Sequence, residues 1–182
     1  MVILINFTSN ISKLLLFLIL INLSGCSSFE SPPQTTPYAG TNLNIGVIGN
    51  HPTIVEENLI TFKRISFYDL KKRNLSVDAV IITKDNLHEA SMDEYKDAYN
   101  NSQLPFFFIG TDSSLPFTES DYPYVEKDFE KGTSYAVGFV GFGDGGFNDH
   151  QYGLYNDVEN QKNLLDMYSS IFRTIEEYKS HP

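Results

Sequence analysis

The chain has 182 residues, 23 acidic against 13 basic side chains, a formal net charge of −10 and one cysteine. That length points to one domain with a real core. The acidity argues against nucleic acid and against an electrostatic hold on anionic lipid. A single thiol rules out an internal disulfide or a cysteine-built zinc site.

The first feature in chain order is the apolar run 14–23, preceded by Lys13 and followed by Ser24-Gly25. A basic flank, a short apolar core and small residues form the pattern of a secretory signal. The core is too short to span a bilayer alone, which takes about 20 apolar residues. An uncleaved anchor helix and a buried core helix are the other readings. Neither accounts for the position of the lone Cys26.

Leu23-Ser24-Gly25-Cys26 resembles the lipobox of bacterial lipoproteins: Leu, a small residue, Gly or Ala, then Cys. The resemblance covers only about the first 30 residues and is silent on the domain. It implies a cleaved signal over 1–25 and a diacylglycerol thioether on Cys26, which becomes the first mature residue. It also implies a location on the outer side of the cell membrane. One acyl chain holds only marginally, whereas a diacyl or triacyl Cys supplies the two or more needed for stable attachment. Removing the signal takes away Lys13 and no acid, so the mature chain is still more negative. Residues 26–41, the Cys and a stretch rich in Ser, Thr and Pro, read as a flexible tether. Residues 42–182 read as the folded domain.

Within the domain, Asn44–Ile48 is a short apolar run closed by Gly49-Asn50, hence a buried strand and a turn. Thr53 and Glu56 have capping-box spacing and predict a helix to about Ile60. A second strand is expected over 62–67, then a short helix or turn over 68–74. Asp78–Thr83 is the clearest buried strand. Ser91 and Glu94 form another capping-box pair ahead of Met92, Tyr95 and Tyr99 at helical spacing. Leu104–Gly110 is a further buried strand, with Pro105 near its start. Residues 112–124 read as a polar loop.

Residues 134–142 predict a strand with Tyr135, Val137 and Phe139 on one face and Ala136, Gly138, Val140 and Phe142 on the other. The small Ala136 and Gly138 would let a helix approach. Asp144-Gly145-Gly146 signals a turn, and 147–155 returns as a more polar edge strand. Asn156 and Glu159 have N-cap and N3 spacing before a final helix whose stripe is Leu164, Leu165, Tyr168, Ile171, Phe172 and Ile175. The expected architecture is α/β: one three-layer domain with a mostly parallel sheet, a C-terminal antiparallel hairpin and a long C-terminal helix. In element order alone it resembles flavodoxin-like and receiver-like folds, which carries no function.

In such sheets ligands sit at the carboxyl ends of the strands. Asn50, His51, Asp69, Thr83, Asp85, Thr111 and Asp112 are therefore the candidate ligand-binding residues, although Asn, Asp, Gly and Ser also make ordinary turns. Receiver-like proteins carry paired acids after the first strand. Here Gly49-Asn50-His51 stands there, which argues against phosphoryl transfer. Gly141–Gly146 spells G-x-G-x-x-G but leads into a strand, not the helix that a dinucleotide site needs. Asp144, Asn148 and Asp149 lack calcium-loop spacing. His51, His88, His150 and His181 are scattered, and no nucleophile motif occurs. Tyr122, Tyr124, Tyr152 and Tyr155 read either as core packing or as a contact patch for a protein or glycan. The expected function is a membrane-anchored, non-catalytic binding or interaction module, attached through Cys26, needing no cofactor and binding no nucleic acid. A contact-acting helper lipoprotein is a variant of it. The alternative is a surface hydrolase using His51 and Asp112.

Overall fold

A computed structural model describes residues 36–72, 75–126, 132–142 and 146–180. The signal, the lipobox and the tether up to residue 35 lie outside the described residues, as does most of the Asp144-Gly145-Gly146 turn. The compact unit runs over Gln34–Pro182.

The strands are β1 (Leu43–Ile48), β2 (Ile60–Arg64), β3 (Ala79–Ile82), β4 (Phe106–Ile109), β5 (Ala136–Gly141) and β6 (Phe147–Tyr152). They form one sheet in the order β2-β1-β3-β4-β5-β6. The first four are parallel, β5 runs antiparallel to β4, and β6 antiparallel to β5. The helices are α1 (Phe67–Lys71), α2 (Leu87–Ala90), α3 (Asp93–Asn100), α4 (Leu115–Thr118) and the long α5 (Gln161–Ser180). The α/β class, the mostly parallel sheet, the C-terminal antiparallel pair and the long last helix are as expected.

Each central strand is buried on both faces because its alternate side chains enter different cores. Ile45, Val47, Ile81 and Phe107 face α5 together with Met167, Ile171, Phe172 and Ile175. Val80, Ile82, Phe106 and Phe108 face the short helices, among Leu70, Leu87, Tyr99 and Phe117. Burying each large side chain contributes about 1.5–3 kcal/mol, so the α5 stripe is a main stabiliser of its face. Met167, fully in this stripe, escaped the sequence pattern.

Five local expectations need correction. No helix forms over 53–60. The Glu56 carboxylate accepts instead from the amides of Tyr38 and Val55 and from the Ser169 hydroxyl, and the crossover from β1 to β2 is irregular. The Ser91–Glu94 box is not made. Ser91 Oγ donates to the His88 carbonyl, Glu94 pairs with Lys71 at 2.5 Å, and Met92 is the uncapped N-cap of α3. The last helix starts at Gln161, where Asn160 Oδ1 accepts the Asn163 amide at 2.9 Å. Asn156 and Asp157 have positive φ, and Glu159 accepts from the Tyr135 hydroxyl. Gly138 admits no helix: a Cβ there would meet Phe107 Cε1 at 2.7 Å, so it makes room for the ring of its β4 neighbour. Tyr135, ahead of the strand proper, joins the α5-side core rather than that of Val137 and Phe139.

The folded domain includes residues before 42. Tyr38 is 3% exposed, edge-on to Phe172, and its hydroxyl donates to the Thr41 carbonyl. Glu176 accepts the Thr41 amide at 2.6 Å, and this bond chiefly holds its carboxyl below the usual range. Residues 36–41, read as tether, are thus tied to α5.

Candidate functional site

The carboxyl ends of β1, β3 and β4 lie along one rim of the sheet. At the β1/β3 switch point, where such folds open a crevice, Thr83 and Asn86 fill the space directly beside Gly49, and a cavity of ≈ 530 Å³ opens next to them, its lining including Gly49, Ser66, Tyr68, Asn86 and Glu89. Gly49 has φ +109, and a Cβ on it would collide with Thr83 Oγ1 and Asn86 Nδ2. Thr83 Oγ1 in turn donates to the Ile48 carbonyl and accepts from Asn86. Thr83 is thus engaged with its neighbours on the rim, and it does not line that cavity.

A second opening lies one strand further on, and it gathers more of the expected residues. A cavity of ≈ 270 Å³ is walled by Lys84, Thr111 to Ser113, Tyr122 to Val125 and Thr133 to Tyr135. Its floor follows from the turn after β4. Gly110 has φ +91, and a Cβ there would also meet the Lys84 stem at 2.8 Å, which lies over this turn. Thr111 Oγ1 and the Ser113 backbone hydrogen-bond each other, a local turn that fixes Asp112 between them. The segment read as a polar loop is anchored by α4. Phe117 stacks on Phe108 with centroids 3.9 Å apart, and Lys96 Nζ and Asn100 Nδ2 donate to the carbonyls of Glu119 and Thr118. The aromatic wall comes from Tyr122, 52% exposed, and Tyr124, which leans on Phe117.

Burial first, then the nearby Glu126, raises the Tyr124 phenol, and burial first, then the bond to Glu159, raises that of Tyr135. Both are neutral phenols at neutral pH. Neither the Lys84 ammonium nor the Asp112 carboxylate has a hydrogen bond or ion pair among the described residues. One cation, one anion, several hydroxyls and an aromatic wall can orient a small polar ligand by hydrogen bonds while apolar surface covers it.

Of the expected residues, Thr111 and Asp112 line this cavity. Thr83 fills the space beside Gly49. Asp69 caps α1 with Ser66, whose hydroxyl chiefly holds the Asp69 carboxyl low. Asn50 and Asp85 are exposed on adjacent turns. His51 stacks on Phe62, with centroids 5.7 Å apart, and does not line the cavity with Asp112, so the geometry lends the hydrolase pairing no support. The calcium reading is not supported either. Asp144 lies outside the described residues, and Asn148 and Asp149 point to opposite faces of β6. Among the described residues no cluster of metal-ligating side chains occurs.

Sequence reasoning missed Thr133, Ser134 and Tyr135. It searched strand carboxyl ends, whereas antiparallel β5 brings its amino end to the same rim. Lys84 belongs to the same strand-end rim, between the chosen Thr83 and Asp85, but was not among the candidate residues.

No helix among the described residues is long and apolar enough to cross a membrane. No protein-family profile, curated protein or solved structure matches the chain.

Proposed function

We propose that this chain is a lipid-anchored protein on the outer side of a bacterial membrane, whose α/β domain binds a small polar ligand and performs no catalysis. The observation that carries the binding half is the cavity beyond β4, with Lys84, Thr111 and Asp112 beside the Tyr122–Val125 wall. Its volume suits a metabolite-sized molecule, and its polar groups are few and convergent, as in binding sites generally. The anchoring half rests on Leu23-Ser24-Gly25-Cys26.

Two measurements test the two halves. Thermal-shift screening against sugars, amino acids, nucleotides and metals should yield a specific stabiliser whose effect is lost in Thr111→Ala and Lys84→Ala. A broad panel without a hit removes the small-ligand reading. In cells, Cys26→Ala should abolish labelling by palmitate and release the protein or stall its processing. A variant that keeps its mass and stays equally membrane-bound refutes the anchor.

A further inference from the structure

The strand β6 ends the sheet, and among the described residues no strand pairs with the outer side of its backbone. The Phe142 amide donates to the Gly146 carbonyl, which sets the phase of the β5–β6 ladder. Residues 148, 150 and 152 then exchange bonds with β5, and the amides and carbonyls of Phe147, Asp149 and Gln151 point away from the sheet. The same three residues turn their side chains away from α5, since Asn148 and His150 bond Tyr178 and Tyr152 bonds Thr174 on the other face.

On that outer face lies another cavity, of ≈ 460 Å³, whose lining includes Asp112, Glu119, Phe139, Phe147, Asp149 and Gln151. Phe147 is 55% exposed and stacks on buried Phe139 with centroids 5.4 Å apart, an apolar anchor that a partner could cover. Among the described residues, three carboxylates and no Lys, Arg or His line the cavity. Among the described residues none of the three carboxylates is held by a hydrogen bond or an ion pair.

We propose that the β6 edge and this cleft dock an extended basic peptide segment of a partner protein, added to the sheet as a seventh strand. Strand addition makes main-chain bonds to 147, 149 and 151, while alternate side chains enter pockets on one face. Alternate residues of a strand are about 6.7 Å apart, so basic residues at every second position would run beside Asp149 toward Glu119 and Asp112. Charge selects this occupant over two others. A second copy is acidic like the first, and edge-to-edge pairing would bring two Asp149 side chains close together. The chain's own Ser27–Thr41 segment carries Glu30 and no Lys or Arg. This docking does not depend on the small-ligand cavity, with which it shares Asp112, Ser113 and Leu115.

The test uses the full-length protein in detergent micelles and fluorescein-labelled peptides of about eight residues, matched to the length of a strand. One alternates Lys with Thr, one alternates Glu with Thr, and two carry N-methyl groups on alternate backbone nitrogens of the Lys peptide, one in each frame. The Lys peptide should bind, more weakly as salt rises, and the Glu peptide should not. Asp149→Lys and Phe147→Ser should each weaken binding about 10-fold or more, as should one N-methyl frame. Lys84→Ala and Thr111→Ala should leave it unchanged. Both edge substitutions are at exposed positions, and circular dichroism checks that the variants stay folded. Equal binding of the Glu peptide, full tolerance of both N-methyl frames, indifference to both edge variants, or no binding at all overturns the proposal. Concentration-dependent dimers that the Lys peptide disperses would assign the edge to a second copy and overturn it equally.

Discussion

The Ser169 hydroxyl on α5 donates a hydrogen bond to the Glu56 carboxylate, 113 residues earlier in the chain. Glu56 is 6% exposed and also receives the Tyr38 and Val55 amides. One side chain thus ties together the start of the domain, the helix-free β1–β2 crossover and the last helix. A buried donor left without an acceptor costs about 1–3 kcal/mol. Glu56→Ala orphans several, so it should destabilise the domain by about 2–4 kcal/mol, and Ser169→Ala by about 1 kcal/mol. The double variant should lose little more than Glu56→Ala alone. Urea unfolding of the three variants measures this. Additive losses would mean that the two residues act separately.

The buried tyrosines make a pH prediction. Burial pushes Tyr168 up to about 12 and, despite the bond to Thr174, Tyr152 also up to about 12. In the unfolded chain both ionise near the ordinary value of 10. Their neutral forms therefore favour the fold fully below pH 10, and that contribution is lost as pH rises from about 10 to 12. Each phenol adds up to about 1.4 kcal/mol per pH unit to the loss. Denaturant midpoints should fall over this interval, and tyrosinate absorbance should appear together with unfolding. Lysine deprotonation acts in the same range, so Tyr152→Phe is the control, and its midpoint should fall less steeply. An unchanged slope would remove Tyr152 from the account.

Where one stretch of sequence meets a uniform environment, the fold was legible. Ala79–Ile82 is apolar throughout because both faces of β3 are buried, and Ile171, Phe172 and Ile175 recur at helical spacing because α5 has one wet side. Cap spacings failed for a shared reason. Glu56, Glu94 and Glu159 each sit where a local cap would use them, yet Ser169, Lys71 and Tyr135 claim them from far along the chain. Capping is worth about 1 kcal/mol, so the buried Ser169–Glu56 bond competes with it easily, and the exposed Lys71–Glu94 pair is of similar worth. The site was half legible. Thr111 and Asp112 follow a strand whose direction was read correctly, whereas Ser134 and Tyr135 reach the rim only because β5 reverses.

That reversal also places Gly138 opposite Phe107, whose ring fills the space over the glycine. Gly138→Val should overpack this contact and cost about 1–3 kcal/mol. Phe107→Leu removes ring atoms at the contact and should recover part of the loss when combined with it, although alone it is destabilising. A melting series of the two single variants and the double variant tests the pair. If the double variant loses the sum of the single effects, the ring is not what the glycine accommodates.

Hydrogen exchange reports whether the β6 edge is open. Amides at 148, 150 and 152 are bonded to β5, whereas those of Phe147, Asp149 and Gln151 face outward. The three outward amides should exchange close to the unstructured rate, while those of Val137 to Val140, in a strand with neighbours on both sides, should be protected by sub-global or global opening. The pattern along β6 should therefore alternate residue by residue rather than fade toward one end. Tyr178→Phe keeps the ring but removes the hydroxyl that meets both Asn148 and His150. It should raise exchange at 148 and 150 by about 5-fold, equivalent to the roughly 1 kcal/mol of a lost bond, and leave β5 unaffected. Protection of 147, 149 and 151 equal to that of β5 would mean that something already covers this edge.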